Sequence, residues 1–257
     1  MNDEQMPEIL ITGGTGLLGK SVCALFGRDH IPYVIATHSR QHLTSNRIFI
    51  DLSTGEGIKQ AVAGKKIILH LASDKKHPKN DISGTAALLR EIQALEEKPH
   101  LIYISIVGID RLPLPYFKEK WQTEQAIINA AVPYSILRAT QFHEYVEDLL
   151  KRLLKWPLGI LPKKVPIQPI DVLTVAKALY MMVKEPPSGM IKNVGGPQIF
   201  PFIDAANSWL KKNNKRRLLL NFPLWGIAGR NIKNGALTSK DRNDQSVPWI
   251  EWLNKPR

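Results

Sequence analysis

Three glycines near the start of the sequence have a spacing that suits dinucleotide binding. Gly13, Gly16 and Gly19 form Gly-x-x-Gly-x-x-Gly directly after the apolar run Ile9–Thr12, and a helical pattern begins at once. The first glycine permits a tight turn, the second lets backbone approach a pyrophosphate, and the third allows close helix packing. Helix N–H groups then face the phosphate charge. A glycine-rich turn without a ligand is the alternative. The expected cofactor-binding residues of the turn are the three glycines with Thr12, Leu17 and Leu18.

A cation follows the second predicted strand, where a dinucleotide site meets the adenosine ribose. Ser39 and Arg40 come directly after the run 33–37, and no Asp or Glu occurs between residues 31 and 49. A carboxylate there would suit the ribose hydroxyls of NAD, whereas a guanidinium suits the 2′-phosphate of NADP. We therefore expect NADP(H), and less readily NAD(H). An exposed loop arginine is the alternative.

Two further strand ends carry residues that a cofactor could contact. Asp51 and Leu52 follow the third predicted strand, where a carboxylate can meet the adenine edge or cap the next helix. Ala72 and Ser73 follow the fourth strand with small side chains, as needed where backbone passes close to a ligand. We include all four among the expected cofactor-binding residues.

A tyrosine and a lysine one helical turn apart could carry out proton transfer. Tyr116 and Lys120 stand at the start of a predicted helix, and their spacing of four puts both on one face. An ammonium beside a phenol makes the phenol a better acid for a carbonyl oxygen that receives hydride. Ser105, at the end of the fifth predicted strand, could hold the same oxygen. The alternative is a surface lysine above an ordinary half-buried tyrosine.

The elements that must position these residues alternate regularly through the first two thirds of the chain. Such short apolar runs are typical of parallel strands buried on both faces and joined by right-handed crossovers. The pattern predicts an α/β fold with a doubly wound parallel sheet, the Rossmann arrangement. Strands are expected at residues 9–12, 33–37, 47–50, 66–71, 100–105 and 134–138, and helices most clearly at 82–97 and 117–131.

The pattern changes after residue 142. Helices are predicted over 144–155 and 171–184, and the remainder is basic and less regular. We expect a Rossmann core over residues 1–142 and a small C-terminal substrate or lid region over 143–257, interleaved with the core rather than independent of it. Four tryptophans of that region are expected to pack in its core and lid: Trp209, Trp225, Trp249 and Trp252.

The formal net charge of +12 is concentrated near the end of the chain. Residues 205–257 hold 11 Lys and Arg against 3 Asp and Glu, chiefly within 211–217. A solvated helix end is the plainest interpretation, and the alternative is an anionic partner: an acidic substrate, a nucleic acid or a membrane surface. Because no aromatic residue interleaves the cluster, nucleic acid is the least favoured of these.

Composition bounds the remaining possibilities. The 257 residues can bury one large core, and the single cysteine, Cys23, excludes an intrachain disulfide; we expect it to be a small buried hydrophobe rather than a nucleophile. The acidic start predicts no secretory signal, and no apolar run reaches the ~20 residues of a membrane span, so a cytoplasmic protein is expected. No His, Cys and Asp cluster has metal-ligand spacing, and we predict no metal.

Three histidines are weaker candidates for a role in chemistry. His70 lies within a predicted buried strand and is expected to be a hydrogen-bonded core residue. His77 stands in a basic loop after that strand, where it could attract an anionic substrate, although a solvated loop is the better interpretation. His143 could line a substrate pocket together with Glu144.

Several stretches together resemble the atypical short-chain dehydrogenase/reductases of the NmrA-like group. They are TGGTGLLG at 12–19, SIVGID at 105–110, YxxxK at 116–120 with Glu124, LRATQFH at 137–143, QPIDV at 168–172 and VGGP at 194–197. The resemblance implies an NAD(P)-binding Rossmann domain with a smaller C-terminal substrate region. It assigns the glycine turn to the pyrophosphate and Arg40 to the 2′-phosphate. It also assigns Thr140, Gln141 and Phe142 to the nicotinamide side.

These features favour an oxidoreductase that uses NADPH to reduce a small carbonyl or quinone, with Tyr116 as the acid and Lys120 holding the ribose. Because the group also includes proteins that bind the cofactor as redox sensors, a non-catalytic NADP(H) sensor acting through a protein partner is the first alternative. A sugar-nucleotide epimerase is the second. It would need a firmly retained cofactor and a second pocket for a phosphate anion.

Overall fold

In the computed structural model, which describes residues 8–73 and 78–256, short apolar strands alternate with helices through the first 140 positions. The strands there are β1 (Ile9–Thr12), β2 (Val34–Thr37), β3 (Arg47–Phe49), β4 (Ile67–His70), β5 (His100–Ile106) and β6 (Tyr134–Ala139). The helices between them are α1 (Leu17–Arg28), α2 (Ile58–Val62), α3 (Pro78–Gln93) and α4 (Pro115–Asn129). Each predicted strand lies within one residue of an observed one at both ends.

The remaining residues form shorter strands and further helices. The strands are β7 (Leu158–Leu161), β8 (Pro166–Ile167), β9 (Ile191–Val194), β10 (Phe200–Pro201) and β11 (Leu218–Asn221). The helices are α5 (His143–Leu153), α6 (Val172–Lys184), α7 (Phe202–Lys212), α8 (Gly226–Lys233) and α9 (Trp249–Asn254). Two 3₁₀ turns, Arg40–His42 and Ile109–Arg111, follow β2 and β5.

The main sheet has the strand order β3-β2-β1-β4-β5-β6-β9. The pairs β1–β2, β1–β4, β2–β3 and β4–β5 are parallel, with Leu10 beside Val34 and Ile68. Because β1 stands inside the sheet, its residues Ile9–Thr12 are all buried, which explains their continuous apolar run. The chain therefore has a doubly wound, Rossmann-like α/β fold, and the predicted fold class is confirmed.

Helix α3 is the predicted helix whose bounds differ most from those observed, by four residues at each end. The apolar periodicity begins at Ile82, but the helix starts at Pro78, whose fixed φ suits a first helical position. It ends at Gln93, five residues before Lys98, so the effect of Pro99 on the residue before it does not reach this end. Local backbone preference therefore accounts for the start of the helix, which apolar spacing did not indicate.

The chain divides into two compact units that alternate along the sequence. The first comprises Met1–Ser105, Lys118–Leu137 and Ala176–Lys192, and the second comprises Ile106–Phe117, Arg138–Val175 and Asn193–Arg257. The boundaries between the units fall within β5, α4, β6, α6 and β9. The predicted Rossmann core at 1–142 and substrate region at 143–257 stay a prediction.

Each unit has its own apolar core. In the first unit, buried side chains of the sheet such as Leu10, Ile68 and Leu101 pack with Leu88 of α3 and Ile127 of α4. In the second unit, α5, α7 and α9 enclose a cluster that also takes residues from β7 and β8. The buried members of that cluster include Val146, Leu161, Phe202, Trp209, Trp249 and Trp252.

The tryptophan expectation is confirmed at three positions and wrong at the fourth. Trp209, Trp249 and Trp252 are buried, whereas Trp225 is 73% exposed. Trp225 directly precedes α8, in a connection that turns at the surface through Gly226 with φ +72°. The ring therefore has an edge contact with Phe222 instead of a place in the core.

Candidate functional site

The glycine turn closes so tightly against the end of β4 that two of its positions require glycine. Gly13 has φ +71°, and a Cβ there would lie 2.6 Å from the Ala72 nitrogen. A Cβ on Gly19 would overlap the Gly13 carbonyl oxygen, to which the Gly16 N–H donates at 3.0 Å. Within the described residues no side chain caps α1, so its first N–H groups can serve an anion. Of the other expected turn residues, Leu17 is exposed, whereas Leu18 and Thr12 are buried.

Thr12 anchors the turn through a buried hydrogen-bond chain. Its Oγ1 lies 2.7 Å from His70 Nδ1 and accepts a bond from the Ala72 N–H at 3.3 Å. On the other side of the ring, His70 Nε2 lies 2.9 Å from Thr85 Oγ1. Burial lowers the pKa of His70 to about 3, with the Lys120 charge acting in the same direction, so the ring is neutral. The expectation of a hydrogen-bonded core histidine is confirmed.

A second buried polar chain holds Lys120. Its ammonium donates to Tyr103 Oη at 3.0 Å and forms an ion pair with Asp81 at 3.6 Å. Asp81 in turn accepts a bond from the Ser73 hydroxyl at 2.9 Å. Burial raises the pKa of Tyr103, while Lys120 acts in the opposite direction. The end of β4 is therefore connected to Lys120 of α4 through Asp81 of α3.

Tyr103 and Asp81 are site residues that the sequence did not indicate. The phenol bonded to Lys120 is that of Tyr103, 17 positions earlier, whereas the spacing argument paired Lys120 with Tyr116. Tyr116 is half-buried in the second unit, with its ring edge-on to Phe117 at 5.7 Å. The expected pairing of Tyr116 and Lys120 stays a prediction.

Ser105 offers a buried hydroxyl at the end of β5. Its side chain is 3% exposed, and among residues 8–73 and 78–256 its Oγ finds no hydrogen-bond partner. A buried hydroxyl without a partner costs stability, and such groups mark places where a ligand can supply the missing bond. A role for Ser105 in holding the substrate oxygen stays a prediction.

Arg40 lies exposed beyond the end of β2 and contacts two of the described residues. Its guanidinium stacks over the Phe49 ring at 3.9 Å and forms an ion pair with Glu56. The side chain is thus held beside the ends of β2 and β3, with one carboxylate beside it. Glu56, another residue that the sequence did not indicate, would compete with a phosphate for Arg40. The backbone of Ser39, half-buried, donates to the Thr37 hydroxyl.

Asp51 uses one carboxylate oxygen to close a turn. Oδ1 accepts bonds from the Ser53 N–H at 2.8 Å and the Ser53 hydroxyl at 2.6 Å, and these bonds lower the pKa of Asp51. The residue at the N-cap of α2 is Gly57, so the alternative in which Asp51 caps that helix is wrong. Leu52 packs against Gly84 of α3, where a Cβ would lie 2.9 Å from the Leu52 Cβ.

In the second unit, Thr140 and Gln141 bind backbone groups. Thr140 Oγ1 accepts a bond from the Gly196 N–H, and Gln141 Nε2 donates to the Leu237 carbonyl at 2.6 Å. The buried Gln168 side chain also bonds backbone groups of this region: it donates to the Gly196 carbonyl and accepts from the Ser239 N–H. Phe142 is half-buried before α5. A position beside the nicotinamide stays a prediction for Thr140, Gln141 and Phe142.

The second unit also contains an open cavity of about 580 Å³ with a basic lining. Arg111, Lys240 and Arg242 contribute cations, and Asn234, Thr238 and Ser239 contribute neutral polar groups. One wall is fixed by Arg111, whose guanidinium donates to the Ala236 carbonyl at 2.5 Å. The described lining holds no carboxylate, so the cavity suits an anionic group.

His143 does not line a pocket, contrary to expectation. It is fully buried, with its Nε2 2.8 Å from the Val247 carbonyl and its ring stacked on Trp252. Burial lowers its pKa to about 4. Its place in the apolar core of the second unit explains the difference. Glu144, one residue later, is half-buried.

The other chemical candidates give no further site. His77 lies outside the described residues. Cys23 is half-buried, and burial raises the pKa of its thiol, in line with a packing role. Within residues 8–73 and 78–256, no group of three or more His, Cys, Asp or Glu side chains could hold a metal ion. Across the same residues no helix has the length and apolar character to span a membrane.

Comparison with sequence families finds one match, which includes the glycine turn. A profile described as the NAD dependent epimerase/dehydratase family matches residues 9–98, from β1 to just before β5. Comparison with curated protein sequences gives no significant match. The family match covers about the first third of the chain.

Solved structures resemble the chain over nearly its whole length. A nucleoside-diphosphate-sugar epimerase from Staphylococcus aureus has a TM-score of 0.80 at 16% identity, over 96% of this chain and all of its own. An NADPH-dependent quinone oxidoreductase from Escherichia coli, complexed with NADPH, has a TM-score of 0.78 at 17% identity, over 95% and 98%. A triphenylmethane reductase from Citrobacter sp., complexed with NADP(H), has a TM-score of 0.78 at 16% identity, over 96% and 98%. The chain thus has the fold shared by these three proteins.

Proposed function

We propose that the chain is an NAD(P)H-binding oxidoreductase that uses NADPH to reduce a small carbonyl or quinone substrate. The observation that carries the proposal is the glycine turn, closed against Ala72 and followed by a helix start that no described side chain caps. The uncapped N–H groups at the helix start can donate to a pyrophosphate. The missing Cβ atoms of Gly13 and Gly19 allow the tight backbone bend that presents these groups.

The preference for NADPH rests on Arg40. Its guanidinium is exposed beyond β2 and oriented by Phe49 and Glu56. A 2′-phosphate carries more negative charge than the Glu56 carboxylate, so it can replace or share that ion pair. Ser39 and Asp51 are proposed to line the same adenosine end, and Ala72 and Ser73 to lie along the pyrophosphate.

In the proposed reaction, bound NADPH supplies a hydride from its nicotinamide. Tyr116 is the proposed donor of the proton that the reduced oxygen takes up, and Ser105 offers a hydrogen bond from its unpartnered hydroxyl. Lys120 is proposed to keep its positive charge through the ion pair with Asp81 and to hold the cofactor ribose. Tyr103 and Asp81 are therefore positioning residues for Lys120.

The test is NADPH oxidation by the purified chain across a panel of quinones and aldehydes. We expect at least one substrate to turn over and Tyr116→Phe to lower kcat about a hundredfold for a carbonyl, with NADPH affinity unchanged, because general acid catalysis contributes about 10²–10⁴. Tyr134→Phe, a half-buried tyrosine outside the proposed machinery, is the matched control. If NADPH binds and no member of the panel turns over, the sensor hypothesis replaces the enzyme. A Tyr116→Phe protein with the wild-type carbonyl rate would remove Tyr116 as the acid.

A second candidate is an enzyme of the sugar-nucleotide epimerase class. The specific observation in its favour is the basic cavity of about 580 Å³, since this activity would need a second pocket for a phosphate anion. Copurification of tightly bound NAD(H), together with binding of a sugar nucleotide that Arg242→Gln abolishes, would favour this class over the NADPH reductase.

A further inference from the structure

An exposed apolar face lies on the small sheet of the second unit. β7 and β11 are parallel, with Leu158 beside Leu218 and Ile160 beside Leu220. All four side chains are exposed, so they form one contiguous aliphatic surface, which we call the apolar face. The alternate residues of β7, including Leu161, are buried in the core, so the strand alternation itself presents the face outward.

Further exposed aromatic side chains stand next to both strands in the sequence. Trp156, just before β7, is 69% exposed, and Phe222 and Trp225, just after β11, are exposed beside each other with ring centroids 5.9 Å apart. Single exposed apolar residues are common, but a contiguous set of this kind marks an interaction surface. Tryptophans in particular suit a boundary between an apolar and a polar phase.

Cations are concentrated in the sequence around β7 and β11. Among them, Arg217 donates to the Leu154 carbonyl, and Lys215 lies 5.2 Å from the Trp209 ring. Residues 151–164 and 211–225, which contain β7 and β11, hold ten Lys and Arg and no Asp or Glu. Lys151 is paired with Glu147 of the preceding helical turn, and Lys155 lies 5.7 Å from the Trp156 ring. The ten cations are Lys151, Arg152, Lys155, Lys163, Lys164, Lys211, Lys212, Lys215, Arg216 and Arg217.

We propose that the apolar face and its flanking cations dock the protein on the surface of an anionic lipid bilayer. The aliphatic side chains gain free energy by entering the acyl boundary, the tryptophans suit the headgroup level, and the cations meet lipid phosphates. This interaction goes beyond the proposed reaction and does not depend on it.

The charge pattern selects this partner over the other candidates. A second copy would bring two cationic faces together, and like charges that meet in an interface repel each other. A nucleic acid would satisfy the cations but leave the four aliphatic side chains exposed to water. An anionic bilayer matches both the charge and the apolar surface.

The experiment is sedimentation of the full chain with lipid vesicles. We expect binding to phosphatidylcholine vesicles that contain about a third phosphatidylglycerol, much weaker binding to pure phosphatidylcholine, and loss of binding as salt is raised. Trp225→Ser with Leu218→Ser should weaken binding about tenfold or more, and so should Lys212→Glu with Arg216→Glu. Because these side chains are exposed, the variants should keep the wild-type circular dichroism spectrum.

Two matched pairs control for general changes of surface. Met190→Ser with Ile250→Ser removes exposed apolar groups outside the face, and Lys59→Glu with Lys98→Glu makes the same change of net charge in the first unit. Both should bind within about twofold of wild type. The proposal is overturned if the wild-type protein does not bind anionic vesicles, or if the control pairs weaken binding as much as the test pairs. A concentration-dependent dimer that Leu218→Ser abolishes, without vesicle binding, would assign the face to self-association instead.

Discussion

At the residue scale, the proposed cofactor site depends on glycines, which have no Cβ. Gly13 and Gly19 allow the backbone of the turn to pass against Ala72 and against itself. Gly16 differs, because a Cβ there would lie 3.2 Å from the Gly13 oxygen and would otherwise project into open space, where we propose that the cofactor binds. The folding role and the binding role of the turn are therefore separable at Gly16.

Replacing Gly16 by alanine should weaken NADPH binding about tenfold or more. The free energy of unfolding should change by less than about 1 kcal/mol, because the added methyl group faces the proposed cofactor site more than the core. Gly27→Ala is the matched control. Gly27 is an exposed residue of α1 where a Cβ would meet no atom within 4 Å, so the change should stabilise by up to about 1 kcal/mol without altering binding. Fluorescence titration and urea unfolding measure the two effects. Equal loss of NADPH affinity in both variants would contradict the role of Gly16.

Lys120 marks the limit of inference from spacing. The sequence placed it correctly in a helix and one turn after Tyr116, because helical periodicity fixes the spacing of side chains. It could not indicate that the ammonium binds Tyr103 and Asp81, because those groups come from β5 and α3, and no local pattern relates them to α4. Glu56 beside Arg40 was missed for the same reason.

At the element scale, buried histidines join neighbouring elements. His70 of β4 contacts Thr12 of β1 and Thr85 of α3, and His100 of β5 lies 2.8 Å from the Ser135 hydroxyl of β6. Burial lowers the pKa of His100 to about 4, as it lowers that of His70 to about 3. The neutral rings therefore hold these strands and helices together through hydrogen bonds.

These histidines should make the protein less stable in mild acid. Their folded pKa values lie below the unfolded value of about 6.5, so below that pH the unfolded chain takes up protons that the folded chain does not. Stability is unaffected above about pH 7 and falls as pH drops toward 4, by about 1.4 kcal/mol per unit for each histidine. Urea unfolding at pH 7 and pH 5 measures the loss. His70→Leu should lower this slope by about 1.4 kcal/mol per pH unit, the contribution of one histidine, whereas His38→Gln, at an exposed position, should leave it unchanged; equal slopes in the two variants would contradict the account.

The strands that alternate with helices were predicted well, and the strands after residue 142 were not. The six strands β1–β6 are continuous apolar runs between helices, so the sequence located each within a residue. β7 and β11 have four residues each and lie about 60 positions apart, so neither has a signal that relates it to its partner. The sequence therefore did not indicate the apolar face that their pairing forms, and the prediction that Trp225 lies in the core was wrong.

At the scale of the whole molecule, the chain combines a Rossmann-like sheet with a second unit that is strongly basic. The sheet order, the glycine turn and Arg40 support binding of an anionic dinucleotide. The basic cavity and the cations beside the apolar face lie in the second unit and suit other anions. The sequence indicated the excess charge but not its division between a cavity and a surface, because that division depends on side-chain placement.

The measurement that tests the central claim most directly is a titration of the purified chain with NADPH and with NADH, followed by nicotinamide fluorescence. We predict that both bind and that NADPH binds about ten- to a hundredfold more tightly, because charge-assisted bonds to the 2′-phosphate contribute about 1.5–3 kcal/mol. Arg40→Ala should remove most of the difference, and Glu56→Gln should increase it by freeing the guanidinium. Failure of both nucleotides to bind would contradict the proposed function, and equal or tighter binding of NADH would contradict the role of Arg40.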